Sequence, residues 1–271
     1  MFQPVFNTGK LFRQYLLAGS HASKVRIQNL LGKYFFTNGI MVKDEYGTIL
    51  KLIPNDWISR IMLMDDSYEN LSVKLAKELL KNGGLFIDIG ANFGLYTCTV
   101  SENKAVHVYA IEPNYMIIPR LLENIELNKR NNVTVMNVAL SNGFQFVSFD
   151  LPKAHNLGSA TFTVKSKAPF CTLSCSLNYI FQSQHIQTVE LIKIDIEGNE
   201  FGILEDFRFD DYKIKNLIME FNQLSKVSFT QVHSFFLNKG FKSFTIEGKE
   251  LLNDKSGIPE NNIWFVNQNV T

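Results

Sequence analysis

The chain has 271 residues, a formal net charge of +1, 45% hydrophobic and 20% charged residues, which suits one α/β domain with extensions or two small domains. That balance calls for neither nucleic acid nor an anionic membrane as a partner. Three cysteines, Cys98, Cys171 and Cys175, imply no disulfide framework, and Cys171-x-x-x-Cys175 lacks the second pair and nearby His of a metal site.

Met1 to Gly19 is too interrupted by Gln3, Pro4, Asn7, Lys10, Arg13 and Gln14 to hold the apolar core of a signal peptide. No run approaches the length of a membrane span, so the default expectation is a cytoplasmic protein. Leu11–Leu17 reads as a short amphipathic helix. Tyr34-Phe-Phe-Thr-Asn-Gly39 and Ile40-Met-Val-Lys-Asp-Glu-Tyr-Gly47 read as short strands of a small antiparallel cap, broken at Asn38-Gly39 and Tyr46-Gly47. Residues 1–65 are therefore expected to form a helix and cap, and 66–271 the main domain.

An amphipathic helix follows Asp66-Ser-Tyr-Glu69, with Leu71, Val73, Leu75, Ala76, Leu79 and Leu80 as its apolar face. Then a strand–helix alternation sets in. Leu85–Ile89, Val106–Ile111, Val133–Leu140, Leu191–Ile196 and Asn216–Phe221 read as strands buried on both faces. Helices are expected over Phe93–Asn103, Tyr115–Asn128, Asn199–Asp206 and Thr230–Asn238. Phe144–Gln187 is long and irregular for a connection, which suggests a segment facing the substrate. At the end, Phe241–Ile246 and Asn262–Val266 have no helix between them and should pair antiparallel. A mostly parallel seven-stranded sheet closed by such a hairpin is the Rossmann-like arrangement of class I methyltransferases. The 23 phenylalanines are expected to pack its core.

The candidate site begins at Asp88-Ile-Gly-Ala-Asn-Phe-Gly94, where a buried strand opens into a helix. Gly90 permits a sharp turn with close approach to the backbone, with Ala91 and Asn92 in the turn itself. Gly94 permits close packing of strand and helix. The Gly-x-G-x-x-Gly spacing wanted by a pyrophosphate is absent, since Asn92 stands where its second glycine belongs. Asp88 would repel phosphates, but suits S-adenosylmethionine, which carries an ammonium and a sulfonium. Glu112, in Tyr109-Ala-Ile-Glu-Pro113, is placed to accept hydrogen bonds from ribose hydroxyls. Val138, in Asn137-Val-Ala-Leu140, offers an apolar face to an adenine.

A second acidic cluster closes the fourth strand in Lys193-Ile-Asp-Ile-Glu-Gly-Asn-Glu200. Asp195 and Glu197 share one face of an extended chain. Asp195 should lie between the cofactor's methionine end and the substrate. Glu197 and Glu200 could contact substrate, hold a metal or cap the next helix. Glu220 ends the fifth strand at the same edge, and Lys193 could pair with one of these acids. His155, in His155-Asn-Leu-Gly-Ser-Ala160, is a candidate general base.

Taken together, Tyr68-Glu69, the Asp88–Gly94 turn, Glu112-Pro113, Leu122-x-Asn124-x-x-x-Asn128, Asn137-x-Ala-Leu-Ser141, the His155–Ala160 loop and Lys193-Ile-Asp-Ile-Glu-Gly-x-Glu200 resemble the FkbM family of methyltransferases. The resemblance spans roughly residues 55–225. It implies S-adenosylmethionine as cofactor, with Tyr68 among the residues around it, and methylation of an oxygen, often on sugars or natural products. Asp195, His155 and Glu197 are then the candidate catalytic residues; no metal ligands are assigned, and the Asp195, Glu197 and Glu220 acids fit a reaction with or without a divalent metal. The expected partner is a small-molecule or carbohydrate acceptor, the oligomeric state being open. One departure is Thr172-Leu-Ser174, where such proteins usually carry Thr-Leu-Asp. Competing readings are a nicotinamide-dependent oxidoreductase, a nucleic-acid base methyltransferase and a binding module without turnover. The glycine spacing and the late hairpin oppose the first. Asp195-Ile-Glu-Gly198, standing where base methyltransferases carry Asp/Asn-Pro-Pro-aromatic, opposes the second.

Overall fold

The computed structural model describes residues 3–5, 14, 34, 36–54, 56–65, 68–150, 161–163, 171–196, 200–221, 227–252 and 262–270. In chain order these form β1 (Gln3–Pro4), β2 (Ile40–Lys43), β3 (Ile49–Leu52), α1 (Trp57–Met64), α2 (Asn70–Leu79), β4 (Gly84–Ile89), α3 (Leu95–Val100), β5 (Val106–Ile111), α4 (Ile118–Leu127) and β6 (Val133–Met136). Next come β7 (Ala139–Leu140), β8 (Gln145–Asp150), β9 (Thr161–Thr163), β10 (Cys171–Cys175), α5 (Leu177–Ser183) and β11 (Thr188–Ile194). The chain closes with α6 (Glu200–Glu205), β12 (Lys213–Glu220), α7 (Phe229–Asn238), β13 (Phe241–Thr245) and β14 (Asn262–Asn267).

Seven strands make the central sheet, in the order β13-β14-β12-β11-β4-β5-β6. From β12 to β6 the pairs are parallel, and β14 enters antiparallel between β12 and β13. This is the Rossmann-like α/β sheet with a late antiparallel hairpin that the apolar runs predict. Its middle strands are apolar runs broken by single polar residues such as Asp88 and Lys193, because helices cover both faces. One face packs on α2, α3, α4 and the β2–β3 hairpin. The other carries α5, α6 and α7, where Phe181, Phe207, Phe209, Phe236, Phe241 and Phe265 meet mostly edge to face. Such pairs add to simple burial, and they absorb a good part of the phenylalanine excess.

Several expectations are corrected. Phe36–Gly39 is a turn, closed by a Gly39 N–H bond to the Phe36 carbonyl, and not a strand. The hairpin bends at Asp44–Thr48, around the expected break at Tyr46-Gly47, where the Asp44 carboxylate accepts the Tyr46 and Thr48 N–H groups. Leu71 is exposed, and α2 buries Ser72, Val73 and Ala76. The third strand stops at Met136. Ala139 and Leu140 turn away to pair with β10, beginning a second sheet of order β7-β10-β8-β9. The segment after Phe144 is thus partly β-structure, where an irregular connection was expected. Ser174 holds that sheet at its start. Its buried hydroxyl lies 2.8 Å from Ser141 Oγ and donates to the Gln145 carbonyl at 3.0 Å. An ionised carboxylate could not donate there, so the serine hydroxyl suits this position. The expected Leu11–Leu17 helix lies outside the described residues. Among the described residues no helix is long and apolar enough to cross a membrane.

The β2–β3 hairpin is fastened to α4 by two asparagine side chains. Asn128 Oδ1 accepts the Ile49 N–H (2.8 Å) and its Nδ2 donates to the Ile49 carbonyl (2.6 Å). Asn124 Oδ1 accepts the Lys51 N–H at 2.8 Å. Four residues of helix advance about 6 Å and two residues of strand about 6.6 Å, so the two amides fall opposite alternate strand residues. They satisfy the outward backbone groups of an edge strand, which would otherwise be left for water or another chain. Asn128→Ala should lower stability by about 1–3 kcal/mol, the cost of orphaning these partly buried groups, as read by urea unfolding.

Candidate functional site

The ends of β4, β5 and β11 converge at the Asp88–Gly94 turn. Gly90 (φ 81°) and Ala91 both donate N–H bonds to the Ile111 carbonyl at the end of β5. Asn92 takes a left-handed conformation (φ 51°), which asparagine tolerates better than most residues, and its Oδ1 accepts the Phe93 N–H. A Cβ on Gly90 would lie 1.8 Å from the Asp195 carbonyl oxygen. The glycine is thus required by the neighbouring strand end. A Cβ on Gly94 (φ 94°) would meet Leu121 of α4 at 2.7 Å. Its close packing is therefore against the neighbouring helix.

Asp88 is buried under the turn, and its Oδ2 accepts both the Thr97 N–H (3.1 Å) and hydroxyl (2.6 Å). Burial raises its pKa above the ordinary carboxylate value, against the opposing pull of Lys193. Glu112 is also buried. One of its oxygens accepts the Asn92 N–H and the other the Asn114 N–H, both at 2.8 Å. Burial pushes it up to about 7 despite those bonds. A carboxylate is thereby held in place across two strand ends, short of solvation.

At the end of β11 the Lys193 side chain runs inward and is only 2% exposed. Its ammonium donates to Asp195 Oδ2 at 2.8 Å and lies 4.6 Å from the Tyr96 ring centroid. Burial opposes its charge, but Asp195, Glu69 and Asp88 outweigh that and lift its pKa above the usual lysine value. The Tyr96 hydroxyl donates to Glu69, which also accepts from Asn262 Nδ2 at 2.9 Å. Burial first, then the Glu69 charge, raise the Tyr96 pKa well above the ordinary phenol value. Asp195 is partly exposed beside the turn.

The donor set has a clear chemical preference. Carboxylates come from three adjacent strand ends, and the lysine among them is already bound to Asp195. A pyrophosphate would meet repulsion here, whereas a cationic ligand rich in hydroxyls fits. The model of the Methyltransferase FkbM domain matches residues 88–243, more than half of the chain and all three strand ends. The chain belongs to the FkbM methyltransferase family. Its cofactor is S-adenosylmethionine.

A curated relative, the hexuronic acid methyltransferase AglP of Haloferax volcanii, is 27% identical over 134 residues, covering 49% of this chain and 54% of that protein. The chain thus spans about half the length of the curated relative it matches. Among solved structures, TrmK of M. capricolum with S-adenosyl-homocysteine aligns at 16% identity and a TM-score of 0.43, covering 73% of this chain and 68% of that one. TYW2 of M. jannaschii with AdoMet aligns at 14% and 0.42, covering 83% and 84%.

Of the expected site residues in this FkbM domain, Asp88, Gly90, Ala91, Asn92, Gly94, Glu112 and Asp195 stand at one edge. Val138 lies just beyond β6, half-buried against the core, next to Asn137, whose amide donates to the Glu112 and Pro113 carbonyls. Tyr68 packs half-buried on the hairpin side, beside Glu69. Glu200 is buried and accepts the Ile196 N–H at 3.1 Å, bracing the loop into α6. Glu220 ends β12 opposite Asn262. His155 and Glu197 lie outside the described residues. Tyr96, Asn262 and Asn124 were not singled out as site residues. A lysine inside an otherwise apolar strand was the available signal for the buried ion pair.

Two outcomes follow for the protein without cofactor. Because the folded pKa of Glu112 lies near 7 against an ordinary 4.5, its contribution to stability is complete below about pH 4.5 and lost as the pH rises through about 7, a change on the order of 3 kcal/mol. Glu112→Gln should flatten that part of the stability–pH curve measured by denaturant titration. Gly90→Ala, facing the Asp195 carbonyl, should lose more than about 3 kcal/mol, and Gly143→Ala, with open space around it, less than about 0.5 kcal/mol.

Proposed function

We propose that this FkbM methyltransferase transfers the methyl group to a hydroxyl oxygen of a sugar or similar polyhydroxylated acceptor. The observation that carries the reading is the gathering of Asp88, Glu112 and Asp195 around the glycine turn at one end of the sheet. The likeness to a hexuronic acid methyltransferase supports the acceptor class.

When bound, S-adenosylmethionine supplies a methyl on a sulfonium that needs no further activation. In this reading the ionised Glu112 carboxylate accepts the ribose hydroxyls while its two backbone N–H bonds hold it in place. Val138 provides an apolar face for the adenine, and Tyr68 closes the hairpin side. Gly90, Ala91 and Asn92 bring the backbone close to the cofactor, with Gly94 allowing the helix to start there. Asp88 places a carboxylate beneath the methionine end. Asp195 uses Oδ2 for Lys193, and its other oxygen would take the proton of the acceptor hydroxyl as the methyl passes from sulfur to oxygen and S-adenosylhomocysteine is left. His155 and Glu197 are the further candidates for that proton. The main contribution of the protein is orientation, worth up to about 7–11 kcal/mol of barrier in favourable cases.

Binding of S-adenosylhomocysteine, followed by calorimetry, tests the cofactor half. With Glu112 at about 7, affinity should be roughly tenfold weaker at pH 6 than at pH 8, and Glu112→Gln should bind weakly with little pH dependence. An unchanged affinity in Glu112→Gln would show that the acid does not meet the ribose. The acceptor half is tested by incubating methyl-labelled S-adenosylmethionine with a panel of free hexoses and hexuronic acids. A labelled product stable to mild alkali marks an ether and supports a hydroxyl acceptor. An alkali-labile product marks a methyl ester and overturns it in favour of a carboxylate.

A further inference from the structure

The amide of Asn124 is completely buried in α4, and both of its ends are engaged. Its Oδ1 accepts the Lys51 N–H of β3, and its Nδ2 donates at 2.8 Å to the Phe93 carbonyl inside the glycine turn. The Phe93 peptides are thus gripped on both sides, since the Phe93 N–H already bonds to Asn92 Oδ1. The Asn92 N–H in turn donates to Glu112. A continuous series of hydrogen bonds therefore runs from the hairpin edge, through one side chain, to the turn and to the acid at the end of β5.

We propose that Asn124 is a positioning residue for the cofactor turn, whose hydrogen bond to the Phe93 carbonyl sets the affinity for S-adenosylmethionine. The inference rests on the reading that the Asp88–Gly94 turn and Glu112 hold the cofactor. Asn92 is held at a positive φ that an L-residue rarely adopts, so the turn needs outside support to keep that shape. Asn124 provides it by fixing the carbonyl of the next residue. Asn128, one helical turn along, makes the comparison internal. It bonds the Ile49 backbone of the hairpin and the Asn124 carbonyl within its own helix, but not the turn. Loss of Asn128 loosens the hairpin alone, while loss of the Asn124 donor frees the turn.

The test compares Asn124→Asp with Asn128→Ala in the full chain. Aspartate keeps an acceptor for the Lys51 N–H and removes the donor to Phe93. Binding of S-adenosylhomocysteine is measured by calorimetry at pH 8, well below the melting temperature of each variant. Asn124→Asp is expected to weaken binding by about tenfold or more, as for loss of a buried hydrogen bond, and Asn128→Ala by less than about threefold. Hydrogen exchange should quicken at residues 92–94 in Asn124→Asp only. A loss in Asn124→Asp that does not exceed that of Asn128→Ala by at least about threefold overturns the proposal. Should Asn124→Asp fail to fold, Asn124→Ser is read against Asn128→Ser by the same threshold. Wild-type protein that binds no S-adenosylhomocysteine would instead defeat the cofactor reading of the turn, whatever the variants do.

Discussion

The Asp195 carbonyl occupies the space that a side chain at residue 90 would fill. That approach lets the two central strands end together, with the Asp195 N–H closing the ladder on the Ile89 carbonyl. Everything at the site is placed by it. The turn after β4 is pressed toward β5, where the Ile111 carbonyl receives two of its N–H groups. Glu112 is brought under Asn92, and Asp195 is delivered, partly exposed, beside the same turn. The constraint is one of backbone geometry, so it holds whatever side chains line the acceptor side.

Bringing strand ends so close also concentrates charge of one sign. Asp88, Glu69 and Asp195 surround Lys193, and its buried ammonium is what makes their proximity tolerable. A charge withdrawn from water needs both a counter-charge and hydrogen bonds, and Lys193 has both, with the Tyr96 ring beneath it. Glu112 lies outside that compensation. Its two N–H donors do not offset its burial, which is why its pKa climbs to about 7. In the free protein this is a source of instability at neutral pH. Hydroxyl donors on a ligand would relieve it, so the strain and the affinity belong to the same group.

The sheet was legible because its central strands are apolar runs with one polar residue at a telling place. Asp88, Glu112 and Asp195 each close such a run, and a parallel sheet puts strand ends of one kind at one edge. The antiparallel finish was legible from the missing helix after Phe241–Thr245. The hairpin turn was legible in Tyr46-Gly47, whereas Asn38-Gly39 gave an equally strong turn signal that closes no hairpin, and only the tertiary bond from Thr99 to Asp44 shows which bend packs on α3. The break at Met136 was missed because Val133–Leu140 reads as a single apolar run. What ends it is Asn137, whose amide is taken by the carbonyls of Glu112 and Pro113. Asn124 and Asn128 were visible as a family pattern, but their purpose was not. Polar residues four apart on a helix ordinarily face water, and nothing local says that a strand edge lies against them.

The two sides of the molecule are built by different rules. On the glycine-turn side, backbone and buried side chains meet at fixed register. A side chain at Gly90 would strike the Asp195 carbonyl, and Asn124 is completely buried, so neither could be exchanged for a larger residue without moving a neighbour. On the other side of β6, the chain leaves the central sheet at Ala139 and builds a small sheet of its own. There the Ser174 hydroxyl donates to the Gln145 carbonyl of a neighbouring strand. Local hydrogen bonding can be rewired in such a sheet without disturbing the register of β4, β5 and β11.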